Sequence, residues 1–171
     1  MEISHFAFQR LPSISLQGKF FRIVSKKHQD EILDTQGSLE FGGRYNSPGV
    51  AGVLYLGESK QVCKAERERK SPSVLLLPQV IATIKVSLQK VLDLTNPGNL
   101  KNIGIKKQDL LRSERKGDGY ELPRKLAAWA YRVGYEALLV PSATGKGKNL
   151  VVFLNQCLKG SLVEVISKKE E

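Results

Sequence analysis

Short runs of β-branched and aromatic residues, separated by turn formers, limit what this chain can fold into. They are Phe20–Val24, Val53–Leu56, Val80–Val86, Val91–Leu94, Ala137–Val140, Leu150–Leu154 and Leu162–Ile166. Each reads as a strand by composition and length. Only two helices have both caps and stripe. One runs from the N-cap Ser59 to about Lys70, where Ser71-Pro72 breaks it. The other has Pro123 in its first turn, an apolar stripe of Leu126, Ala127, Ala130 and Val133, and Gly134 as its stop. Weaker helical stretches follow the Asn96-Pro97-Gly98 turn through Leu111, and a short helix fits Gln29–Asp34. Residues 1–19 read as irregular, with Phe6 and Phe8 spaced like a short strand; Ser113–Gly119 reads as a polar loop, Val74–Leu77 as a further apolar run, and the tail Lys168–Glu171 as frayed. Strands outnumber helices and do not alternate with them as βαβ units. The fold class is therefore α+β, with mainly antiparallel sheets and flanking helices.

At 171 residues the chain is expected to form one domain, residues 1–171, with its core over about 20–154. That length needs no disulfide or metal to complete a core. Two cysteines, Cys63 and Cys157, make no disulfide framework, which points to a reducing, cytoplasmic compartment. Glu2, His5, Gln9 and Arg10 interrupt any signal-like apolar segment, and no run is long enough to span a membrane. The net charge of +10 favours an acidic partner or a phosphate-rich ligand. The basic residues are scattered and not interleaved with stacking aromatics, so direct nucleic-acid binding is not expected.

Against that background a few residues stand out. Phe41-Gly42-Gly43-Arg44-Tyr45-Asn46-Ser47-Pro48-Gly49 carries three glycines, one arginine and one tyrosine just before the strand that holds Tyr55. It is either a surface turn or a loop whose glycines let a ligand approach the backbone. Arg22 lies in the middle of an apolar strand, on the face of Phe20 and Val24; it either reaches solvent at a sheet edge or meets an anion in a cleft. On the helix after Ser59, Glu66 shares the stripe of Val62 and Ala65, while Lys64, Arg67 and Glu68 lie around the other side. A carboxylate there must be paired, reach solvent, or line a cleft. Ser142 ends the strand Ala137–Val140 and either satisfies backbone groups or faces a ligand.

Other motifs lack the required parts. Thr144–Asn149 is rich in Gly and Lys but has no G-x-x-x-x-G-K-[ST] spacing and leads into a strand. His5 and His28 are the only histidines, so a histidine-based metal site or a Ser-His-Asp triad has almost no material. Glu66-Arg67-Glu68 looks like an E-x-E signature, but residues two apart on a helix diverge by about 200°.

Arg22, the Gly-Gly-Arg-Tyr-Asn-Ser-Pro-Gly loop, Val53-Leu54-Tyr55-Leu56, Glu66 and Leu138-Leu139-Val140-Pro141-Ser142-Ala143 follow in fixed order, with Arg44, Tyr55 and Glu66 eleven residues apart. From about Phe20 to Leu154 this series resembles the RES domain, named for Arg, Glu and Ser, the toxin half of RES–Xre toxin–antitoxin pairs. The Val91–Leu94 strand with Asp93 and the Gly134-Tyr135-Glu136 turn are also similar. Tyr45 stands where the family often has Trp, and Phe21 precedes Arg22 where Tyr is common.

The resemblance implies an ADP-ribosyltransferase-like fold that takes NAD⁺ as substrate and breaks its nicotinamide–ribose bond, with an Xre-type helix-turn-helix antitoxin as partner and no metal. The outcome is hydrolysis or phosphorolysis of NAD⁺, or transfer of ADP-ribose to a protein. These residues suit that chemistry. Glu66 would stabilise the oxocarbenium-like ribose. Arg22 and Arg44 would meet the pyrophosphate. Tyr55 would pack on the nicotinamide or ribose. Ser142 would orient the ribose or Arg22, and Tyr45 would line the site. Apart from the resemblance, a non-enzymatic basic module that binds an acidic partner stays open.

Overall fold

The structure is a computed structural model that describes residues 3–71, 77–112 and 119–171. The expected Val74–Leu77 run, apart from Leu77, and the Ser113–Gly119 loop, apart from Gly119, lie outside them. Among the described residues there are six strands: β1 (Ser13–Ser25), β2 (Leu54–Gly57), β3 (Gln79–Asp93), β4 (Ala137–Pro141), β5 (Lys148–Val152) and β6 (Leu162–Glu170). The helices are α1 (His5–Gln9), α2 (Gln36–Phe41), α3 (Lys60–Lys70), α4 (Pro97–Asn102), α5 (Lys107–Leu110) and α6 (Glu121–Val133), with 3-10 turns at Lys26–His28 and Leu154–Gln156. The fold is mixed α+β.

The strands pair in the order β1-β2-β5-β4-β3, and β1 pairs again with β3, so the sheet closes into a barrel. β1 and β3 form its longest ladder, from Ser13↔Leu92 to Ser25↔Gln79. β1 fills one edge of β3, so β4 and β6 share the other. β6 runs along Val80–Ser87, and β4 along Val91–Asp93. Every pairing is antiparallel except β3–β4, which is parallel.

Both faces of the central strands are covered, which is why they read as continuous apolar runs. Leu54 and Leu56 point into a cluster with Phe20, Val24, Ile84, Leu139, Leu150 and Val152. Alternation sends Val53, Leu138, Val140 and Val151 to the opposite cluster, under α4, α5 and α6, with Leu110, Leu126, Ala130 and Tyr135.

Several expectations change. The N-terminal segment is not strand-like: Ser4 caps α1, and Phe8 is fully buried. β1 begins at Ser13, seven residues before the expected strand. The expected helix at Gln29–Asp34 is displaced to α2. Val80–Val86 and Val91–Leu94 are not two strands: one strand, β3, runs through both and ends at Asp93. What joins them is Glu136. Leu88 pairs with Leu16 and Val91 with Ile14, so β3 has one extra residue there, a bulge at Gln89–Lys90. Both bulge N–H groups donate to Glu136 Oε2 at 2.7 Å, and Leu158 N–H donates to Oε1 at 2.8 Å. The tail is not frayed: Lys168, Lys169 and Glu170 pair with Ala82, Ile81 and Val80. α6 matches its expected caps, and Gly134 adopts φ 88° at its stop. Among the described residues no helix is long and apolar enough to cross a membrane.

Candidate active site

α3 forms as its cap foretells. Ser59 Oγ accepts the Val62 N–H at 3.1 Å, and the helix runs to Lys70. Val62 and Cys63 are buried, Cys63 against Ile23 and Ile81. The close fit needs Gly57, since a Cβ there would lie 2.6 Å from Cys63 Sγ. Burial pushes the Cys63 thiol up to about 11, so it stays protonated.

One helical turn on, Glu66 turns towards the end of the β4–β5 hairpin. Its Oε1 accepts from Ser142 Oγ at 2.6 Å, from Ala143 N–H at 2.8 Å and from Asn149 Nδ2 at 2.8 Å. Oε2 has the Arg69 guanidinium at 3.6 Å. Burial opposes ionisation here. The hydrogen bonds from Ser142, Asn149 and Ala143, with the Arg69 charge, outweigh it and hold the carboxyl below its ordinary value. Ser142 serves the carboxylate; the described partners of its hydroxyl are Glu66 and Thr144, not Arg22.

The glycine-rich loop is tied down from within. α2 ends where Gly42 takes φ 69°. Asn46 Nδ2 donates to Ser38 O at 2.7 Å and Ala51 O at 3.0 Å, while its Oδ1 accepts the Tyr55 hydroxyl at 2.6 Å. The same hydroxyl accepts the Tyr45 N–H at 3.0 Å. Gly43 permits this knot, because a Cβ there would sit 2.5 Å from the Tyr55 oxygen. The Tyr55 phenol thus fastens the loop to β2 and lines the cleft beside it. Tyr45 is buried in the core; its hydroxyl has no partner among the described residues. Burial raises both phenols above their ordinary values, so both stay neutral.

Arg22 and Arg44 both line the cleft while part of each guanidinium holds the backbone. Arg22 Nη1 donates to Ile32 O at 2.5 Å and Asp34 O at 3.2 Å. Arg44 Nη1 donates to Leu110 O at 3.2 Å and Arg112 O at 2.5 Å, and its guanidinium lies 4.6 Å from the Tyr120 ring centroid. The structure thus gathers Arg22, Arg44, Tyr45, Tyr55 and Glu66 around one cleft of about 470 Å³, a size typical of sites for small molecules and cofactors. Ser142 stands behind it, on Glu66.

Four contributors escaped the sequence reading. Asn149 sits at the end of the Gly/Lys segment that lacks phosphate-loop spacing; its place immediately before the apolar run Leu150–Leu154 was the available signal. Arg67 was assigned to the outer face of α3, yet its long side chain curls back so that Nη1 donates to Ile23 O at 3.1 Å. Arg69 and Lys70 complete the rim. The lining therefore holds five cations and, among the described residues, a single carboxylate and no histidine. The described residues contain no group of three His, Cys, Asp or Glu side chains able to hold a metal ion.

A mixed α+β barrel with a cation-lined cleft around one clamped carboxylate defines the class of protein. Its sequence pattern over residues 19–170 matches that of the RES domain, and the chain belongs to that family. It is 29% identical over 142 residues to the NAD(+) phosphorylase MbcT of Mycobacterium bovis (strain ATCC BAA-935 / AF2122/97), covering 79% of this chain and 73% of that protein. MbcT of Mycobacterium tuberculosis (strain ATCC 25618 / H37Rv) matches equally, at 29% identity over 142 residues and the same coverage of 79% and 73%. Among solved structures, the MbcT–MbcA toxin–antitoxin complex of M. tuberculosis contains a chain that superposes with a TM-score of 0.83 at 25% identity, covering 98% of this chain and 91% of that one.

Proposed function

We propose that this chain is a NAD⁺-degrading toxin that cleaves the nicotinamide–ribose bond and is neutralised by an antitoxin. The observation that carries the reading is the Glu66 carboxylate, ionised and fixed by three donors in a cleft rich in cations. Loss of neutral nicotinamide leaves positive charge on the ribose, and a preorganised anion lowers the energy of that state. The cations suit the pyrophosphate, with Arg22 and Arg44 as its first candidates and Tyr55 beside the ribose or nicotinamide. Tyr45 then supports the loop from the core. On this reading the likeness to ADP-ribosyltransferases is one of substrate and chemistry as well as fold class, in a single RES domain working in the cytoplasm without metal.

Phosphate is favoured over water as the acceptor. Water needs a base to take its proton, and the one cleft carboxylate among the described residues has its basicity lowered by its hydrogen bonds. An oxyanion arrives already ionised, and the cations exceed what a pyrophosphate neutralises. The relatives named as NAD(+) phosphorylases support the same choice. An Xre-type helix-turn-helix antitoxin bearing an acidic segment is the expected partner, since its charge complements the cleft.

Purified protein incubated with NAD⁺ is expected to release nicotinamide. Phosphate should accelerate release and yield a phosphorylated ADP-ribose, and Glu66→Gln should lower the rate at least a hundredfold. Free ADP-ribose with no phosphate effect would establish hydrolysis instead, and label on a protein would establish transfer. No turnover by folded protein with any acceptor would sink the reading.

A further inference from the structure

We propose that Asn149 is a positioning residue: with Ser142 and the Ala143 N–H it locks one oxygen of Glu66 and leaves the other as the sole oxygen for substrate. The proposal rests on the reading of Glu66 as the catalytic carboxylate. It starts from an asymmetry in the hydrogen bonds. A carboxylate oxygen offers about two lone-pair directions. Oε1 accepts three hydrogen bonds, at 2.6, 2.8 and 2.8 Å, and is saturated. Oε2 has Arg69 at 3.6 Å, beyond hydrogen-bond range, and no closer partner among the described residues.

All three donors come from one hairpin, whose frame fixes their positions. The backbone of Asn149 pairs with Val140 on one side and Gly57 on the other. Lys148, the residue before it, donates its N–H to Glu58 Oε1 at 2.9 Å, and Glu58 N–H donates to Lys148 O at 3.0 Å. The hairpin is thereby fastened to the turn that leads into α3. With Asn149 in place, the carboxylate has one rotation about its terminal bond, and Oε2 is directed away from the hairpin. Without it, Oε1 keeps Ser142 and the Ala143 N–H but loses the donor from β5, so the carboxylate is held less tightly and turns more readily. A held acceptor is worth more in the transition state than one that must be ordered first.

The charged and titratable groups near Glu66 are Cys63, Arg69 and Lys70 on α3 and Tyr45 on the glycine-rich loop. The hairpin contributes only neutral donors to the carboxylate. Replacing Asn149 therefore changes the donors and leaves those groups in place. Asn149→Ala removes the donor. Asn149→Asp keeps the shape and sets a second carboxylate against Oε1.

The test pairs steady-state kinetics with a carboxyl titration of Glu66 by ¹³C NMR in the absence of NAD⁺. Both variants are expected to titrate Glu66 at higher pH than the wild type, Asn149→Asp further than Asn149→Ala. The acid limb of kcat should move to higher pH in the same order. At neutral pH kcat should fall roughly tenfold or more, with KM for NAD⁺ within about twofold. A rise in KM alone, with the Glu66 titration unmoved, would make Asn149 a substrate contact and overturn the proposal. So would unchanged titration in both variants. If the wild type fails to turn over NAD⁺, the catalytic reading falls, while the titration still decides whether Asn149 clamps Glu66.

Discussion

Gly43 shows how much depends on a missing methyl group. Its place in the loop follows from the Tyr55 hydroxyl, which accepts from Tyr45 N–H and donates to Asn46 within a space that a Cβ would enter at 2.5 Å. Gly43→Ala must displace that hydroxyl. We expect a loss of about 1–3 kcal/mol in stability, read by denaturant titration, together with a raised KM for NAD⁺ as the loop shifts. Glu136 is the corresponding polar case. It is fully buried and accepts from three backbone N–H groups. Its burial resists ionisation, but the hydrogen bonds from Ser161, Leu158, Lys90 and Gln89 outweigh that and lower its pKa. A carboxyl lowered on folding contributes stability above its unfolded pKa of about 4.3, and loses it as pH falls through the lower folded value. Glu136→Ala should therefore cost about 3 kcal/mol or more at neutral pH, with a smaller difference from wild type in acid, measured by urea unfolding across pH.

At the level of elements, the parts legible in sequence were those with local signals. Ser59 and Gly134 bound α3 and α6 as their chemistry requires. The Glu66 stripe was visible from helical spacing alone. β3 was misread as two strands because Ser87, Gln89 and Lys90 interrupt the apolar run and its bulge is satisfied by a residue more than forty positions away. No local pattern records that partner. Arg67 was misplaced for a similar reason: helical spacing fixes where a Cβ points, not where a long side chain ends. Asn149 was missed because its meaning lies in a contact with Glu66 across 83 positions. The tail was read as frayed from its place at the end of the chain. Its backbone nevertheless pairs with Val80, Ile81 and Ala82, and Lys26 and Lys64 lie beside Glu170 and Glu171 at 2.8 and 2.5 Å. Deleting Lys168–Glu171 should lower Tm by about 2–4 °C for each kcal/mol lost, and a scan of melting temperature would show it. The exposed ion pairs contribute little, so most of the loss should persist in high salt.

For the molecule as a whole, fold class was readable because strand runs without βαβ alternation exclude a doubly wound sheet. Closure was not. It depends on β1 meeting both β2 and β3, and strand composition does not specify neighbours. The cleft likewise exists only once β1, the glycine-rich loop, β2, α3 and the β4–β5 hairpin converge. Its residues were recognisable as a series, but their division of labour was not. Arg22 and Arg44 each spend part of a guanidinium on backbone carbonyls, and Ser142 serves the carboxylate.

Closing the sheet also governs how copies of this chain meet. A ring of strands uses up the backbone groups that open sheets present to one another. Among the described residues β6 pairs only with β3, so its outer side is an open edge. That edge carries Glu164, Lys168, Lys169 and Glu170, all exposed, around Ile166. Charges spaced along a strand oppose its pairing with a second copy, so this long seam, which would otherwise invite stacking into aggregates, is guarded by its own side chains.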